Sequence, residues 1–220
     1  MNFIIENTDD GSTTIYLPDL DEHYHSVKGA LVESRHIYRD CALMHRLASP
    51  HDDIVNVLEI GFGTGLNAVV TATANTAPTH VHYHSLELHP LSPEQVSQLN
   101  FGALTDADIF ARLHDAPWGE AVDITNTFTL HKICGNFVTM PLPQLIDVVY
   151  FDAFAPEKQP EMWQPELLQK VYDAMRTGGV LTTYCAKGVV RRMLEQIGFA
   201  VERIPGPPGG KREILRATKK

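Results

Sequence analysis

Three carboxylates close apolar runs in this sequence: Glu59 in NVLEIGFGTGLN, Glu87 in VHYHSLELHP, and Asp152 directly after IDVVYF. Carboxylates so placed can accept hydrogen bonds from hydroxyls, balance a cation or take a proton. Between the first two lie Gly61, Gly63 and Gly65, followed by an apolar, helix-compatible stretch from Leu66 through Val70. A strand ending in such a glycine turn lets backbone pass close to a ligand, and the next helix presents unpaired N–H groups there. The expected occupant is nucleotide-like. A tight strand-to-helix turn with no ligand is the alternative.

Glu87 follows Gly61 by 26 residues, near the roughly 20-residue offset at which an acidic side chain reaches ribose hydroxyls. A dinucleotide fingerprint would need glycine where this chain has Leu66, so a nicotinamide cofactor is disfavoured. His80, His82 and His84 share a strand face, but no carboxylate or cysteine joins them at ligand spacing, so no metal is expected.

These groups need a sheet to position them. Val55 to Ile60, His80 to Glu87, Phe128 to Ile133, Ile146 to Phe151, Val180 to Cys185 and Phe199 to Ile204 read as strands, with Glu213 to Ala217 returning antiparallel. Helices fit Pro93 to Leu99, Asp106 to His114, Pro165 to Met175 (stopped by Gly178 and Gly179) and Val189 to Ile197 (stopped by Gly198). The alternation predicts an α/β fold with a doubly wound sheet. Ahead of it, Phe3 to Ile5 and Thr13 to Leu17 suggest an accessory β-hairpin. Leu31, Ile37, Cys41, Met44 and Leu47 recur at roughly helical spacing between Ala30 and Leu47, which predicts a helix against the sheet. Residues 1–50 are thus expected to pack on a main domain of residues 51–220. His23, Tyr24 and His25 read as a site edge or as a polar loop with an aromatic anchor.

Composition sets bounds. The 220 residues, 44% hydrophobic and 20% charged, suit one soluble domain without a membrane span or secretion signal. Cys41, Cys134 and Cys185 have no CxxC spacing, which fits reduced thiols in the cytoplasm. The net charge of −9 is segregated: residues 186–220 carry nine Lys and Arg against three Glu, while residues 1–185 carry nine basic against twenty-four acidic side chains. The C-terminal segment is a basic patch or an ordinary solvated surface.

The pattern Glu59, Gly61, Gly63, Gly65 resembles the first motif of class I S-adenosylmethionine methyltransferases, which implies a Rossmann-like sheet of seven strands closed by an antiparallel hairpin. The chemistry suits that ligand: Glu87 for the ribose, and Glu59 for an electronegative setting around the sulfonium or for orienting the loop. DAFAPEKQPEMW (152–163), with GFGTGLN, HYHSVKGALVESR, GVVRRMLEQIGF and GGKREIL, resembles the tRNA 5-methylaminomethyl-2-thiouridine methyltransferase family, from about Asp21 to Arg216.

That resemblance implies methyl transfer from S-adenosylmethionine to the 5-aminomethyl nitrogen of the wobble uridine of tRNA, with Asp152 as catalytic aspartate. It implies a cofactor site of Glu59, Gly61, Gly63, Gly65, Asn67, Glu87 and Asn136, beside Asp152. Asn136 stands where the family often has aspartate. The flavin-dependent half of the family's bifunctional members has no counterpart, so no FAD is expected, and a separate enzyme would supply the aminomethyl precursor. Asp152 suits the reaction, because a primary amine is largely protonated at neutral pH and a neighbouring carboxylate can take its proton or orient its N–H bonds. Capping the following turn is the competing role for it. Phe154 and Trp163 could wall the base or sit in the core, with Phe154 the favoured contact. Lys187, Arg191, Arg192, Lys211 and Arg212 are candidates for tRNA phosphates. Two other readings remain: an N-methyltransferase of a small-molecule amine, and a non-catalytic subunit that binds cofactor and presents tRNA.

Overall fold

The structure, a computed structural model, describes residues 2–220. In chain order the strands are β1 (Ile4–Asn7), β2 (Thr13–Leu17), β3 (Glu22–His23), β4 (Ile54–Ile60), β5 (His80–Glu87), β6 (Ala121–Thr125), β7 (Phe128–Cys134), β8 (Ile146–Phe151), β9 (Met175–Thr183), β10 (Phe199–Pro205) and β11 (Glu213–Lys219). The main sheet has the order β10-β11-β9-β8-β4-β5-β7-β6. Strands β7, β5, β4, β8 and β9 are parallel, and at one edge β11 runs antiparallel between β9 and β10. This is the expected seven-strand order with an eighth strand added. The addition, β6, pairs antiparallel with β7 at the far edge. AVDIT is short, half-exposed and carries Asp123 in its middle, as edge strands do, so its alternation is weak.

Strand β8 is buried along its whole length, as a central parallel strand must be. Apolar clusters cover both faces of the sheet. On one side pack α2 (Leu66–Ala72), α5 (Ala107–Asp115) and a long helix α1 over residues 30–47; on the other pack α6 (Pro165–Ala174) and α7 (Gly188–Ile197). Short helices α3 (Pro93–Val96) and α4 (Phe101–Leu104) precede α5. A Ser92 capping box starts α3, and the Asp106 side chain caps α5. Helix α6 ends at Ala174, and β9 begins at once at Met175. The glycines expected to stop the helix instead sit inside the strand, where the register with β8 shifts and Gly178 has φ +78°.

Helix α1 explains a second difference. Its middle, Arg35–Met44, is π-helical, so buried residues recur at i and i+5: Ile37 with Ala42, Tyr38 with Leu43. A 3.6-residue period instead picks Met44, which is exposed. At the foot of the sheet Arg46 pairs with buried Asp147 at 3.1 Å, and Asp147 also accepts the Asn56 amide. The N-terminal sheet β1-β2-β3 is not accessory either, since Ile15 and Leu17 belong to the main core.

Candidate active site

The sheet changes direction of winding at β4, where β5 lies on one side and β8 on the other. In open α/β sheets the crevice beyond the strand ends at such a point takes ligands. A cavity of about 360 Å³ opens there, lined by the glycine turn, Glu87, Asn136, Asp152 and the loop after β8. A second cavity of about 260 Å³ adjoins it, sharing Tyr24, His25, Asp152, Ala153 and Phe154.

The glycine turn is held from behind. Phe62 is buried against His114 and Trp118, His114 meets the Thr64 carbonyl at 3.1 Å, and His25 meets the Thr64 hydroxyl at 2.7 Å. Burial lowers both histidines to about 4, so they serve as neutral hydrogen-bonding groups at pH 7. Gly61 has φ +94°, and a Cβ there would enter the cavity opposite the Asp152 carbonyl. Gly63 has φ +51°, with the Tyr24 ring 3.3 Å from where its Cβ would lie; at Gly65, φ +73°, the clash is with His114 at 2.9 Å. Gly61 leaves bare backbone at the cavity wall, and side-chain crowding explains Gly65.

Glu87 is fixed through both oxygens, accepting the Gly63 amide at 2.9 Å and the His89 amide at 2.7 Å. Each oxygen keeps a lone pair for ligand hydroxyls. Asn136 also lines the cavity; its Oδ1 accepts the Val138 amide at 2.8 Å and keeps one lone pair, so both this oxygen and Nδ2 have capacity for a ligand. Glu59 lies elsewhere. Fully buried beneath the cavity, it accepts from Ser85 Oγ at 2.6 Å, and its other oxygen has no partner among the described residues. Burial raises it to about 8. A carboxyl under the floor does not line the cavity, so of the two roles expected of it, orienting the loop suits this place better than a setting at the sulfonium.

Asp152 stands where the two cavities meet. Tyr38 donates to Oδ1 at 2.5 Å and Asn67 Nδ2 donates to Oδ2 at 2.9 Å, while Ser34 donates to Asn67 Oδ1 at 2.6 Å. Asn67 is thereby spent on bracing Asp152, although it also lines the first cavity. Burial outweighs these bonds and pushes Asp152 up to about 7, poised for proton transfer near neutral pH. Turn capping, the competing role, is absent: both oxygens face side chains.

The loop after β8 is tied down around this carboxylate. Trp163 is buried against Phe151 and donates to the Phe154 carbonyl at 2.8 Å, Tyr184 donates to Ala153 O at 3.0 Å, and Lys158 reaches Leu20 O at 2.9 Å. Trp163 is an anchor. Phe154 lines both cavities, edge-on to Tyr24 at 5.4 Å. The basic candidates divide: Lys187 pairs with Glu157 and Arg191 with Glu195, whereas Arg192 and Arg212 are exposed and have no ion pair among the described residues. Lys211 lines the second cavity. His80 is bonded to Thr129, and among the described residues no group of three or more His, Cys, Asp or Glu is arranged to hold a metal.

Comparison with known proteins matches residues 113–220 to a family described as S-adenosyl-L-methionine-dependent methyltransferase. The tRNA 5-methylaminomethyl-2-thiouridine biosynthesis bifunctional proteins MnmC of Cupriavidus necator and Pseudomonas savastanoi are each 32% identical to it, over 92% and 91% of this chain. The chain belongs to the S-adenosyl-L-methionine-dependent methyltransferases. The crystal structure of MnmC2 from Aquifex aeolicus superimposes on this methyltransferase with a TM-score of 0.77 at 25% identity, covering 100% of this chain and 71% of that one. Spermidine synthase from Thermotoga maritima, at 0.57 and 15% identity over 99% of this chain and 72% of that one, shares the fold. The chain spans about a third of the length of the curated relatives it matches, 32% for C. necator. Tyr38 and Tyr184 carry no signal in the sequence as contacts of Asp152 or its surroundings, whereas Tyr24 and His25, which line both cavities, belong to the cluster read as a site edge or a polar loop.

Proposed function

We propose that this methyltransferase transfers a methyl group from S-adenosylmethionine to the 5-aminomethyl nitrogen of the wobble uridine in tRNA, giving 5-methylaminomethyluridine or its 2-thio form. The observation that carries the proposal is Asp152, poised at the junction of two cavities, one fit for a nucleoside cofactor and one for an acceptor group. The relatives named for 5-methylaminomethyl-2-thiouridine biosynthesis support the choice of acceptor.

The cofactor side fits its ligand, because Gly61 leaves backbone bare at the cavity wall and Glu87 has free acceptor capacity. Gly61, Gly63 and Gly65 would shape the turn around the ligand, Glu87 would take the ribose hydroxyls and Asn136 would meet the adenine. When bound, S-adenosylmethionine supplies an electrophilic methyl group on a sulfonium. On the other side Asp152 takes a proton from the incoming ammonium and leaves the nitrogen lone pair free. Tyr38 and Asn67 hold both carboxylate oxygens in one orientation, which supplies alignment. Phe154 and Tyr24 would pack the base edge and face. Arg192 and Arg212 would meet tRNA phosphates directly, while Lys187 and Arg191 would first have to leave Glu157 and Glu195. The reading calls for neither FAD nor metal, for a cytoplasmic setting, and for a separate enzyme that supplies the aminomethyl uridine.

The test is methylation of tRNA carrying 5-aminomethyluridine, followed by nucleoside mass analysis, with wild type and Asp152→Ala. The wild type should form the methylated nucleoside. The variant should lose about 10²–10⁴ in turnover while keeping cofactor binding. No product with wild type would overturn the proposal, and equal turnover of the free nucleoside would favour a small-molecule amine as the substrate.

A further inference from the structure

Lys211 lies in the glycine- and proline-rich turn between β10 and β11 and is an exposed residue. Its side chain is nonetheless laid against the second cavity. The ammonium lies 3.6 Å from the centroid of the Tyr184 ring and lines the cavity that also contains Asp152 and Glu33. Glu33 accepts the Ser26 amide at 2.9 Å, so its carboxylate is fixed in place. Tyr184 is fixed as well, through its hydroxyl on Ala153 O. Lys211 has no carboxylate within 4.0 Å and no hydrogen-bond acceptor among the described residues, so its three N–H donors are unspent. Burial lowers its pKa, with Glu33 the main charge opposing that change.

The cavity therefore has one pole of carboxylates and one unspent cation. A substrate that fits both carries an ammonium next to an electron-rich acceptor. In 5-aminomethyluracil the ring carbonyl at C4 is the neighbour of the aminomethyl substituent. Resting on the wobble-uridine reading above, we propose that Lys211 is a specificity-determining residue of the acceptor cavity. It donates to the ring carbonyl beside the aminomethyl group while Asp152 faces the amine. The role differs from the phosphate contact that the charge pattern suggests, since the Lys211 ammonium is seated on the Tyr184 ring at the wall of this cavity, whereas Arg212 is exposed and lines neither cavity.

The two roles give opposite results in one experiment. Wild type, Lys211→Met and Arg212→Met are assayed for methylation of tRNA bearing 5-aminomethyluridine, and for tRNA affinity across a salt series. The same RNA with 5-aminomethylcytidine, which offers an amino group in place of that carbonyl, is the discriminating substrate. Retained S-adenosylmethionine binding by Lys211→Met shows that it is folded. The expected outcome is a loss of about tenfold or more in kcat/KM for the uridine substrate, a narrower preference for uridine over cytidine, and an unchanged salt slope. Arg212→Met should instead lower the slope by about one. A slope lowered by Lys211→Met with the base preference intact would overturn the proposal and restore the phosphate role. Loss of S-adenosylmethionine binding by Lys211→Met would overturn it too, because the residue would then serve the fold. Wild type inactive on the uridine substrate would overturn the functional reading and this assignment together.

Discussion

The two cavities are built by different means. The cofactor side comes largely from one contiguous stretch, β4, the glycine turn and β5, and its main fixings are backbone bonds such as the Gly63 and His89 amides on Glu87. The acceptor side is assembled from segments far apart in the chain: Tyr38 and Asp152 are 114 residues apart, Lys158 and Leu20 are 138. Its fixings are side chains. A site made of backbone tolerates many side-chain changes but few changes of conformation, whereas a site made of side chains can be retuned residue by residue.

The largest expected effect breaks the first kind. Gly63→Val puts a branched side chain at φ +51° against the Tyr24 ring, and should weaken S-adenosylmethionine binding by roughly 100-fold or more. Equilibrium dialysis measures this, and tight binding by the variant would contradict the placement of the turn.

Tyr38→Phe acts on the second kind, where a smaller effect is expected. The Tyr38 bond favours the Asp152 carboxylate, so its loss raises the pKa further above the ordinary carboxylate value. With the carboxylate as the active form, turnover rises with pH through the region near 7, and in the variant that limb should move to higher pH. Single-turnover rates at neutral pH should fall by roughly threefold to tenfold, with cofactor affinity kept. If the variant instead loses cofactor binding as Gly63→Val does, the two halves are not separable.

The smallest effect concerns stability. Glu59 holds its proton in the fold up to about 8 but loses it near 4.5 when unfolded. Between those values the folded state binds more protons, so stability falls as pH rises. His25, His84 and His114, lowered to about 4, act in the opposite sense, but only below their unfolded value of about 6.5. From pH 6.5 to 8 the decline should therefore be visible, at most about 1.4 kcal/mol per pH unit for this group, with Asp152, raised to about 7, adding to it at the lower end. Glu59→Gln should flatten it in denaturant titrations, and an undiminished slope would mean that Glu59 is ionised in the fold.

The same contrast decides what could be read from sequence. The strand, glycines, helix and Glu87 announce themselves because local spacing encodes local structure, and IDVVYF delivers Asp152 because a strand buried on both faces has a composition of its own. Tyr38 was hidden twice over. Its π-helical segment buries residues at i and i+5, and nothing in a sequence pattern says which distant carboxylate a buried tyrosine meets. Glu59 shows the converse: its place in a glycine motif left open a setting at the sulfonium or a role in orienting the loop, and its strand position turns it into the core. Lys211 looks like one more surface cation until the turn between β10 and β11 is seen to fold it onto Tyr184.

The clasp between Lys158 and the Leu20–Asp21 segment has a kinetic side. Closing a loop of that length costs entropy before any contact repays it. The parallel strands must first stand, because they hold out the loop after β8 that Lys158 belongs to. We expect the acceptor cavity to be completed late in folding and to open early under mild denaturant, with the cofactor turn still protected from amide exchange.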